Sequence, residues 1–217
     1  LRAALLGSLT DCPRYWLRPL TLAGTPQDHL SPDERRWCRQ LPANSRGRYA
    51  HSRALLRQLL GCLWGVPMER VPLHSPPGQA PRLAPGFGHL SLSHSGDQLL
   101  VGWSPRPIGV DLEWSERPLA AAALARRYFP AQESAWLLSL EPEPMRRALL
   151  KSWVCKEAAV KWQGSSLAQE LRHWCWDASQ QRLMHLAQGL QPPVLCCEHN
   201  GWLCAAVGEG VSQGIWG

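Results

Sequence analysis

The sequence is poor in lysine and phenylalanine, and its cysteines form no recognisable pattern. Only three of its 23 basic residues are lysines, and only two of its 217 residues are phenylalanines. The eight cysteines form no CxxC pair and no Cys/His cluster at zinc spacing, which argues against a disulfide framework and against a zinc knuckle. We therefore expect a cytoplasmic protein with reduced thiols.

Long apolar runs and low-complexity tracts are also missing. With 45% hydrophobic and 18% charged residues, the composition is typical of a globular protein. The longest apolar run is too short to cross a bilayer, so no membrane partner is expected. Residues 1–12 hold one arginine and a brief apolar stretch without a small-x-small cleavage site, so no signal peptide is expected.

The charge balance favours anionic partners. The net charge of +6 fits nucleic acid, a phosphorylated ligand or an acidic protein, and charge alone does not choose among them. The three lysines, Lys151, Lys156 and Lys161, lie in one stretch of 11 residues. In a chain that otherwise uses arginine, this indicates a place that needs compact ammonium groups, although chance clustering remains an alternative.

Helices and strands can be predicted from periodicity and from end signals. Helices are predicted from Ser31 onward, over residues 45–62, over residues 119–129, and over residues 145–163 with an end at Gly164. Residues 72–88 are rich in proline and glycine and are predicted to be a loop. Alternating patterns predict a three-stranded meander over residues 89–94, 98–104 and 108–114, and a second small sheet from residues 193–197 and 203–207. The fold class is therefore α+β.

Two acidic residues share one face of the third predicted strand. A period of two places Gly109, Asp111 and Glu113 on the same side of the segment Ile-Gly-Val-Asp-Leu-Glu at 108–113. Backbones two residues apart are separated by roughly 7 Å, so both carboxylates can reach one hard cation. Gly109 leaves room for a ligand beside them. The alternative is a solvated strand face with two ordinary acids.

A second group of candidates lies on the helix predicted over residues 145–163. Trp153, Glu157 and Lys161 are stacked at i, i+4 and i+8, with Lys156 beside them. A glutamate and a lysine on one stripe can form an ordinary surface salt bridge. The alanines that follow Glu157 indicate a closely packed helix instead, which favours a partly buried site.

Two further segments carry candidate phosphate ligands. Residues 91–96 combine serine hydroxyls, His94 and turn amides, all of which can donate to a phosphate, and Gly-x-Ser-x-Gly is absent, which argues against a serine hydrolase. A strand-end histidine can equally be packed or solvated. Arg48 lies among Arg46, Arg53 and Arg57 on a basic helix edge, which is either a solvated face or a grip for a phosphate group.

Three motifs together resemble one family. Ser-His-Ser-Gly at 93–96, Ile-Gly-Val-Asp-Leu-Glu at 108–113 and Trp-x-x-Lys-Glu-Ala-x-x-Lys at 153–161 are similar, in order and spacing, to 4'-phosphopantetheinyl transferases of the long, surfactin-synthetase-activating type. The resemblance covers residues 78–164 and reaches loosely to Ser31. It implies a pseudo-two-fold monomer of two α+β halves, residues 1–104 and 105–217, with coenzyme A in the cleft between them.

The resemblance also implies residue roles. Asp111, Glu113 and Glu157 correspond to ligands of Mg²⁺, and Glu157 and Lys161 to catalytic residues. The residues that correspond to contacts with coenzyme A are Arg48, Ser93, His94, Lys156 and Lys161. Gln79 stands where the family often has lysine in a Gly-Lys-Pro motif, and Arg35, Arg36 and Arg39 replace its N-terminal lysines.

The implied activity is transfer of 4'-phosphopantetheine from coenzyme A to a serine of an apo acyl carrier protein, with release of adenosine 3',5'-bisphosphate (holo-[acyl-carrier-protein] synthase, EC 2.7.8.7). Fatty-acid, polyketide and peptide-synthetase carriers all remain open. The carrier's acidic helix is expected to dock at Arg126, Arg127 and Phe129, unless the aromatic residues of this segment are core and its arginines a solvated helix end.

Two other functions are weighed against this one. Another magnesium-dependent phosphotransferase would be expected to carry a Walker-type phosphate loop, which the sequence lacks. A basic nucleic-acid-binding module would be expected to interleave arginines and aromatic residues on an exposed sheet face. The outward residues of the predicted meander are glycine and two acids, so no nucleic-acid partner is expected.

Overall fold

The computed structural model describes residues 12–20 and 26–217. The segment in which no signal peptide is predicted lies outside the described residues, apart from Cys12. Within the described part, the α-helices are α1 (Pro32–Gln40), α2 (Ala43–Trp64), α3 (Ala121–Tyr128), α4 (Ala131–Leu138), α5 (Pro142–Gln163) and α6 (Leu167–Glu170). The strands are β1 (Arg14–Pro19), β2 (Leu73–His74), β3 (Arg82–Leu83), β4 (His89–Ser95), β5 (Gln98–Ser104), β6 (Ile108–Trp114), β7 (Trp174–Asp177), β8 (Arg182–His185), β9 (Val194–His199), β10 (Trp202–Gly208) and β11 (Ile215–Trp216). This mixture confirms the α+β class.

The strands form two larger sheets and two short ladders. The first sheet has the order β11-β1-β5-β4, and the second has the order β6-β10-β9. The predicted meander is therefore wrong in its third strand, because β6 pairs along its whole length with β10 and not with β5. The second small sheet is confirmed, and β6 is its third member. β2 and β3 also pair inside the segment predicted to be a loop.

The first sheet packs against α2 and the second against α5. The helix start predicted at Ser31 is confirmed: Ser31 Oγ accepts from the Glu34 amide at 3.2 Å, and Glu34 Oε2 accepts from the Ser31 amide at 2.8 Å, which is a capping box. Leu56 and Leu60 of α2 are completely buried in one cluster with Leu99 and Val101 of β5. The predicted division after residue 104 coincides with the end of β5; this division and the two-fold relation of the halves stay predictions.

The contact between α5 and β6 is unusually close. An ideal Cβ placed on Gly109 would lie 1.9 Å from the carbonyl oxygen of Ala158 and 2.4 Å from the backbone nitrogen of Trp162. The space at Gly109 is therefore filled by the helix backbone, and the prediction that it leaves room for a ligand is wrong. Glycine at this position lets α5 lie directly on the acidic face of β6.

The two sheets meet along β4 and β6 through a row of hydroxyl groups. Ser91 Oγ accepts from the Val110 amide at 3.0 Å, Ser93 Oγ donates to Asp111 at 2.6 Å, and Ser95 Oγ donates to Glu113 at 3.0 Å. We call Ser91, Ser93 and Ser95 the serine seam. It fixes β6 against β4 although the two strands share no backbone ladder.

No helix in the described residues has both the length and the apolar character needed to span a membrane.

Candidate active site

Asp111 is the centre of the candidate site. It lies in the middle of β6 and is 2% exposed. Its Oδ1 atom accepts from Lys161 Nζ and from Ser93 Oγ, each at 2.6 Å. Its Oδ2 atom is also buried and has no hydrogen-bond partner among the described residues. A buried carboxylate oxygen without a donor is energetically costly, which makes this atom a candidate ligand position.

Glu113 lies two residues further along the same face of β6. It accepts a hydrogen bond from Ser95 and forms an ion pair with Arg117. Burial raises the pKa of Glu113, while the Ser95 hydroxyl and the Arg117 guanidinium act in the opposite direction. Asp111 and Glu113 therefore share one strand face, as predicted. Each carboxylate forms an ion pair, Asp111 with Lys161 and Glu113 with Arg117.

Glu157 faces this acidic strand from α5. Burial raises its pKa to about 7, and the negative charges of Asp111 and Glu113 add to that rise, while Lys161 opposes it. Lys161, one turn after Glu157, donates to Asp111 at 2.6 Å, and Ala158, next to Glu157, is in contact with Gly109, so α5 brings Glu157 and Lys161 to the two strand carboxylates. The i, i+4 spacing of Glu157 and Lys161 on one helix face is what permits this arrangement.

The residues at this place fit a hard divalent cation. Among residues 12–20 and 26–217, no three His, Cys, Asp or Glu side chains are grouped so that they could hold a metal ion, and Asp111 and Glu113 are paired with Lys161 and Arg117. The available donors are carboxylate oxygens, which suit Mg²⁺, and the unpartnered Oδ2 of Asp111 offers one position. An ion bound here would compete with Lys161 and Arg117 for the carboxylates.

Arg48 and His94 line a separate cavity of about 410 Å³. Both are exposed, and the lining also includes Arg53, Gly78 and polar side chains of α2. Ser93 and His94 are neighbours on β4 and point to opposite faces, so Ser93 belongs to the Asp111 group and His94 to this cavity. The structure thus brings Arg48 and His94 together. Gln79, next to Gly78, is exposed in the turn between β2 and β3.

The remaining arginines of the basic helix edge have other partners. Arg57 is 1% exposed and forms a buried ion pair with Glu34 at 2.7 Å. Arg46 donates to the carbonyl of Leu41 at 2.6 Å. The interpretation of the whole edge as a phosphate grip is therefore wrong for Arg57, which holds α2 against α1.

A larger cleft of about 630 Å³ begins at Lys161. The end of α5, with Trp162 and Gly164, forms one wall. The opposite wall is the segment from Pro81 to Leu90, and Trp103 lies at the base. The lining is polar and apolar in nearly equal parts, and Lys161 lies where this cleft meets the Asp111 group.

Lys156 is not part of the Asp111 group. It is completely buried and forms an ion pair with the equally buried Glu133 at 2.6 Å. Burial lowers the pKa of the Lys156 ammonium, and Glu133 acts in the opposite direction. Successive side chains of an α-helix point about 100° apart, so Lys156 leaves the helix in a different direction from Glu157. The predicted contact of Lys156 with coenzyme A therefore has no support in this structure.

Phe129 is also a core residue and not a surface anchor. It is 5% exposed and packs with Ala125, Leu137 and Leu149. Arg126 and Arg127, in contrast, are exposed at the end of α3. The predicted docking patch therefore loses its apolar member and keeps its two cations.

Several residues of the site were not predicted from the sequence. Arg117, four residues after Glu113, could have been recognised as a charge pair, but only as an ordinary one. The serines of β4 were predicted as phosphate donors and not as partners of β6, although their alternation did carry a signal, since Ser91, Ser93 and Ser95 share one strand face. Glu133 carried none, because nothing in the sequence links it to Lys156.

Comparisons with known proteins agree with this site. Residues 107–207 match the family model of the 4'-phosphopantetheinyl transferase superfamily. The chain is 32% identical over 119 residues to the 4'-phosphopantetheinyl transferase psf-1 of Bacillus pumilus, covering 54% of this chain and 50% of that protein. It is 32% identical over 129 residues to the 4'-phosphopantetheinyl transferase HetI of a Nostoc species, covering 57% and 54%. It is 29% identical over 83 residues to the 4'-phosphopantetheinyl transferase Sfp of Bacillus subtilis, covering 38% and 36%.

The chain thus matches about half the length, or less, of these curated relatives. The matched range contains β6 and α5 in full, with Asp111, Glu113, Glu157 and Lys161. The resemblance found in the sequence motifs is confirmed: residues 107–207, which carry the acidic site, match the model of the 4'-phosphopantetheinyl transferase superfamily and are similar to its curated members.

Proposed function

We propose that this protein transfers 4'-phosphopantetheine from coenzyme A to a serine of an apo acyl carrier protein and releases adenosine 3',5'-bisphosphate. The observation that carries the proposal is the convergence on Asp111 of Lys161 and Ser93, with Glu157 opposite and one carboxylate oxygen left without a partner. The relatives named above, all described as 4'-phosphopantetheinyl transferases, support it.

The side chains divide the work of the transfer. Mg²⁺, when held by Asp111, Glu113 and Glu157, would neutralise charge on the diphosphate of coenzyme A. Glu157 takes the proton of the carrier serine, directly or through a water, as that oxygen forms its new bond to phosphorus. Lys161 compensates the negative charge that gathers on the departing bisphosphate. Phosphoryl transfer depends mainly on position and charge, so no covalent enzyme intermediate is required.

The Arg48–His94 cavity is proposed to hold a phosphate group of coenzyme A. Arg48 offers a bidentate donor, and Arg53 and His94 lie beside it. Gln79 cannot supply the positive charge that lysine gives many family members, so Arg48 and Arg53 are proposed to supply most of it. The monomeric state and the cytoplasmic location stay predictions.

The test is a mass measurement on carrier proteins. Purified full-length chain, coenzyme A and Mg²⁺ are incubated with apo carriers of the fatty-acid, polyketide and peptide-synthetase classes. We expect at least one carrier to gain the mass of a phosphopantetheine group, and expect no gain after chelation of the metal or in a carrier whose serine is replaced by alanine. Absence of modification in all three classes would contradict the proposal.

A further inference from the structure

Lys156 and Glu133 form a buried ion pair at the back of the helix that carries Glu157 and Lys161. Both side chains are completely buried, and Nζ of Lys156 lies 2.6 Å from Oε2 of Glu133. The ring of Phe129 covers the ammonium group, with its centroid 3.8 Å from Nζ. No water-facing surface of the pair remains, so neither charge can reach a ligand.

Glu133 has two further donors, and they come from different elements. Ser152 Oγ of α5 donates to Oε1, and the backbone amide of Trp176 in β7 donates to Oε2 at 3.2 Å. Glu133 itself lies on α4. One carboxylate therefore ties together α4, α5 and β7, and all its oxygens are satisfied.

A buried ion pair of this kind contributes more to geometry than to net stability. The loss of hydration of two charges offsets most of their attraction, so apolar residues of similar size would stabilise the same position as well or better. Removing one partner alone leaves an uncompensated buried charge and is strongly unfavourable. The pair therefore permits few rotations of α5 about its own axis.

The opposite side of α5 is equally constrained. Gly109 of β6 is in direct contact with the helix backbone at Ala158. The helix is thus held between this contact in front and the Glu133–Lys156 pair behind. Glu157 follows Lys156 directly and Lys161 is one turn further on, so a small rotation of α5 displaces both site residues together.

We propose that Lys156 is a positioning residue, and that its pairing with Glu133 sets the rotation of α5 that brings Glu157 and Lys161 to Asp111. The expected effect of this positioning on kcat rests on the proposed transferase function. The expected effect on metal affinity depends only on the cluster of Asp111, Glu113 and Glu157. If Lys156 instead contacted the diphosphate of coenzyme A directly, its effect on the reaction would not depend on Glu133.

The test is a double-mutant cycle with Glu133→Gln, Lys156→Met and the combination of both. We expect each single change to lower kcat by about tenfold to a hundredfold, the scale of a displacement of about 1 Å, with the Michaelis constant for coenzyme A changed less than about threefold. In the combined variant no charge is left unpaired, so kcat should recover by about tenfold from the worse single variant.

A second readout avoids catalysis altogether. Binding of Mn²⁺ alone, followed by its electron paramagnetic resonance signal, should weaken severalfold in each single variant and recover in the combined one, although no carboxylate of the cluster is changed. If the wild-type enzyme modified no carrier, the proposed function would fail, and this measurement would still decide the positioning role.

The matched control is Glu34→Gln. Glu34 forms a buried ion pair with Arg57 at the same closeness, but between α1 and α2. This variant should lose stability in urea like Glu133→Gln and keep its Mn²⁺ affinity. If Glu133→Gln proves insoluble, Ser152→Ala removes only one hydrogen bond to Glu133 and should show the same changes on a smaller scale.

Two results would overturn the proposal. In one, Lys156→Met and the combined variant are equally inactive while Glu133→Gln is nearly normal, which assigns Lys156 a direct role. In the other, Glu133→Gln and Glu34→Gln have the same effect on Mn²⁺ affinity and on kcat, which leaves the pair with a general structural role only.

Discussion

Asp111 shows how one side chain can bind two neighbours and still keep one oxygen unused. It receives hydrogen bonds from Lys161 and Ser93 on one oxygen, and its other oxygen is buried and has no partner in the part of the chain that the structure describes. Such a position is unfavourable for folding alone, since the buried oxygen contributes no hydrogen bond. The unpartnered oxygen is better explained as a ligand position for a cation.

The first prediction concerns this charge. Asp111→Asn keeps the shape of the side chain and removes its charge, so we expect carrier modification to slow by roughly two to three orders of magnitude, as for the loss of one strong electrostatic contact. Asp97→Asn, in the exposed turn between β4 and β5, is the control and should react normally. A near-normal rate of Asp111→Asn at saturating Mg²⁺ would exclude this residue from the site.

At the residue scale, the sequence predicted the faces on which the acids and Lys161 lie, but it placed Lys156 in the site, where the structure does not put it. Period two for a strand and period 3.6 for a helix decide which side chains share a face, and this was enough for Asp111, Glu113, Glu157 and Lys161. The same rules cannot show what covers the other face of the helix. Lys156 was placed in the site because it stands beside Glu157, whereas its burial depends on α4 and β7.

At the scale of elements, the packing of α5 on β6 determines the site. Gly109→Ala would place a methyl group in the position of the Ala158 carbonyl, and backbone cannot move aside cheaply. We expect a loss of about 3 kcal/mol in the free energy of unfolding in urea, together with a lower rate of carrier modification, since α5 must shift.

The control for this change is Gly189→Ala. An added Cβ there has no atom within 4 Å, and the residue has φ of +66°. It should cost about 1 kcal/mol through backbone strain alone and leave turnover unchanged. Equal losses of stability in the two variants would contradict the close contact of α5 with β6.

Local patterns predicted most elements but not their partners. The helices from Ser31 and over α2, α3 and α5 were predicted because caps and apolar spacing are local signals. The partner of β6 is β10, almost a hundred residues later, and a short connection after β5 favoured the wrong neighbour. Strand pairing over such a separation depends on the packing of α5, which the pattern of β6 does not contain.

At the scale of the whole molecule, the excess of positive charge bears on association with an acidic carrier. Arg126 and Arg127 are exposed, and Phe129 is not available as an anchor. Tyr128 is half-buried, so any attraction at this patch is mainly electrostatic. It should act mainly on the association rate and weaken with salt, because charges are screened within about 10 Å at 0.1 M.

The corresponding prediction is a charge reversal. Arg126→Glu with Arg127→Glu should raise the Michaelis constant for carrier about tenfold at low salt and leave that for coenzyme A unchanged. Arg70→Glu with Arg182→Glu makes the same change in net charge at two other exposed sites and is the control. If both double variants behave alike, net charge and not this patch governs docking.

The serine seam has a consequence for how the folded molecule behaves at high concentration. β4 and β6 are each the outermost strand of their sheet, and unpaired outer strands are the usual starting points of aggregation. Here β4 and β6 cover each other's outer edge. The hydroxyl groups of the serine seam lie where a strand from another molecule would have to pair. Of the two larger sheets, only β11, which is two residues long, and β9 keep a free side. Within the two larger sheets of the described residues, strand addition between copies is thereby confined almost entirely to β9.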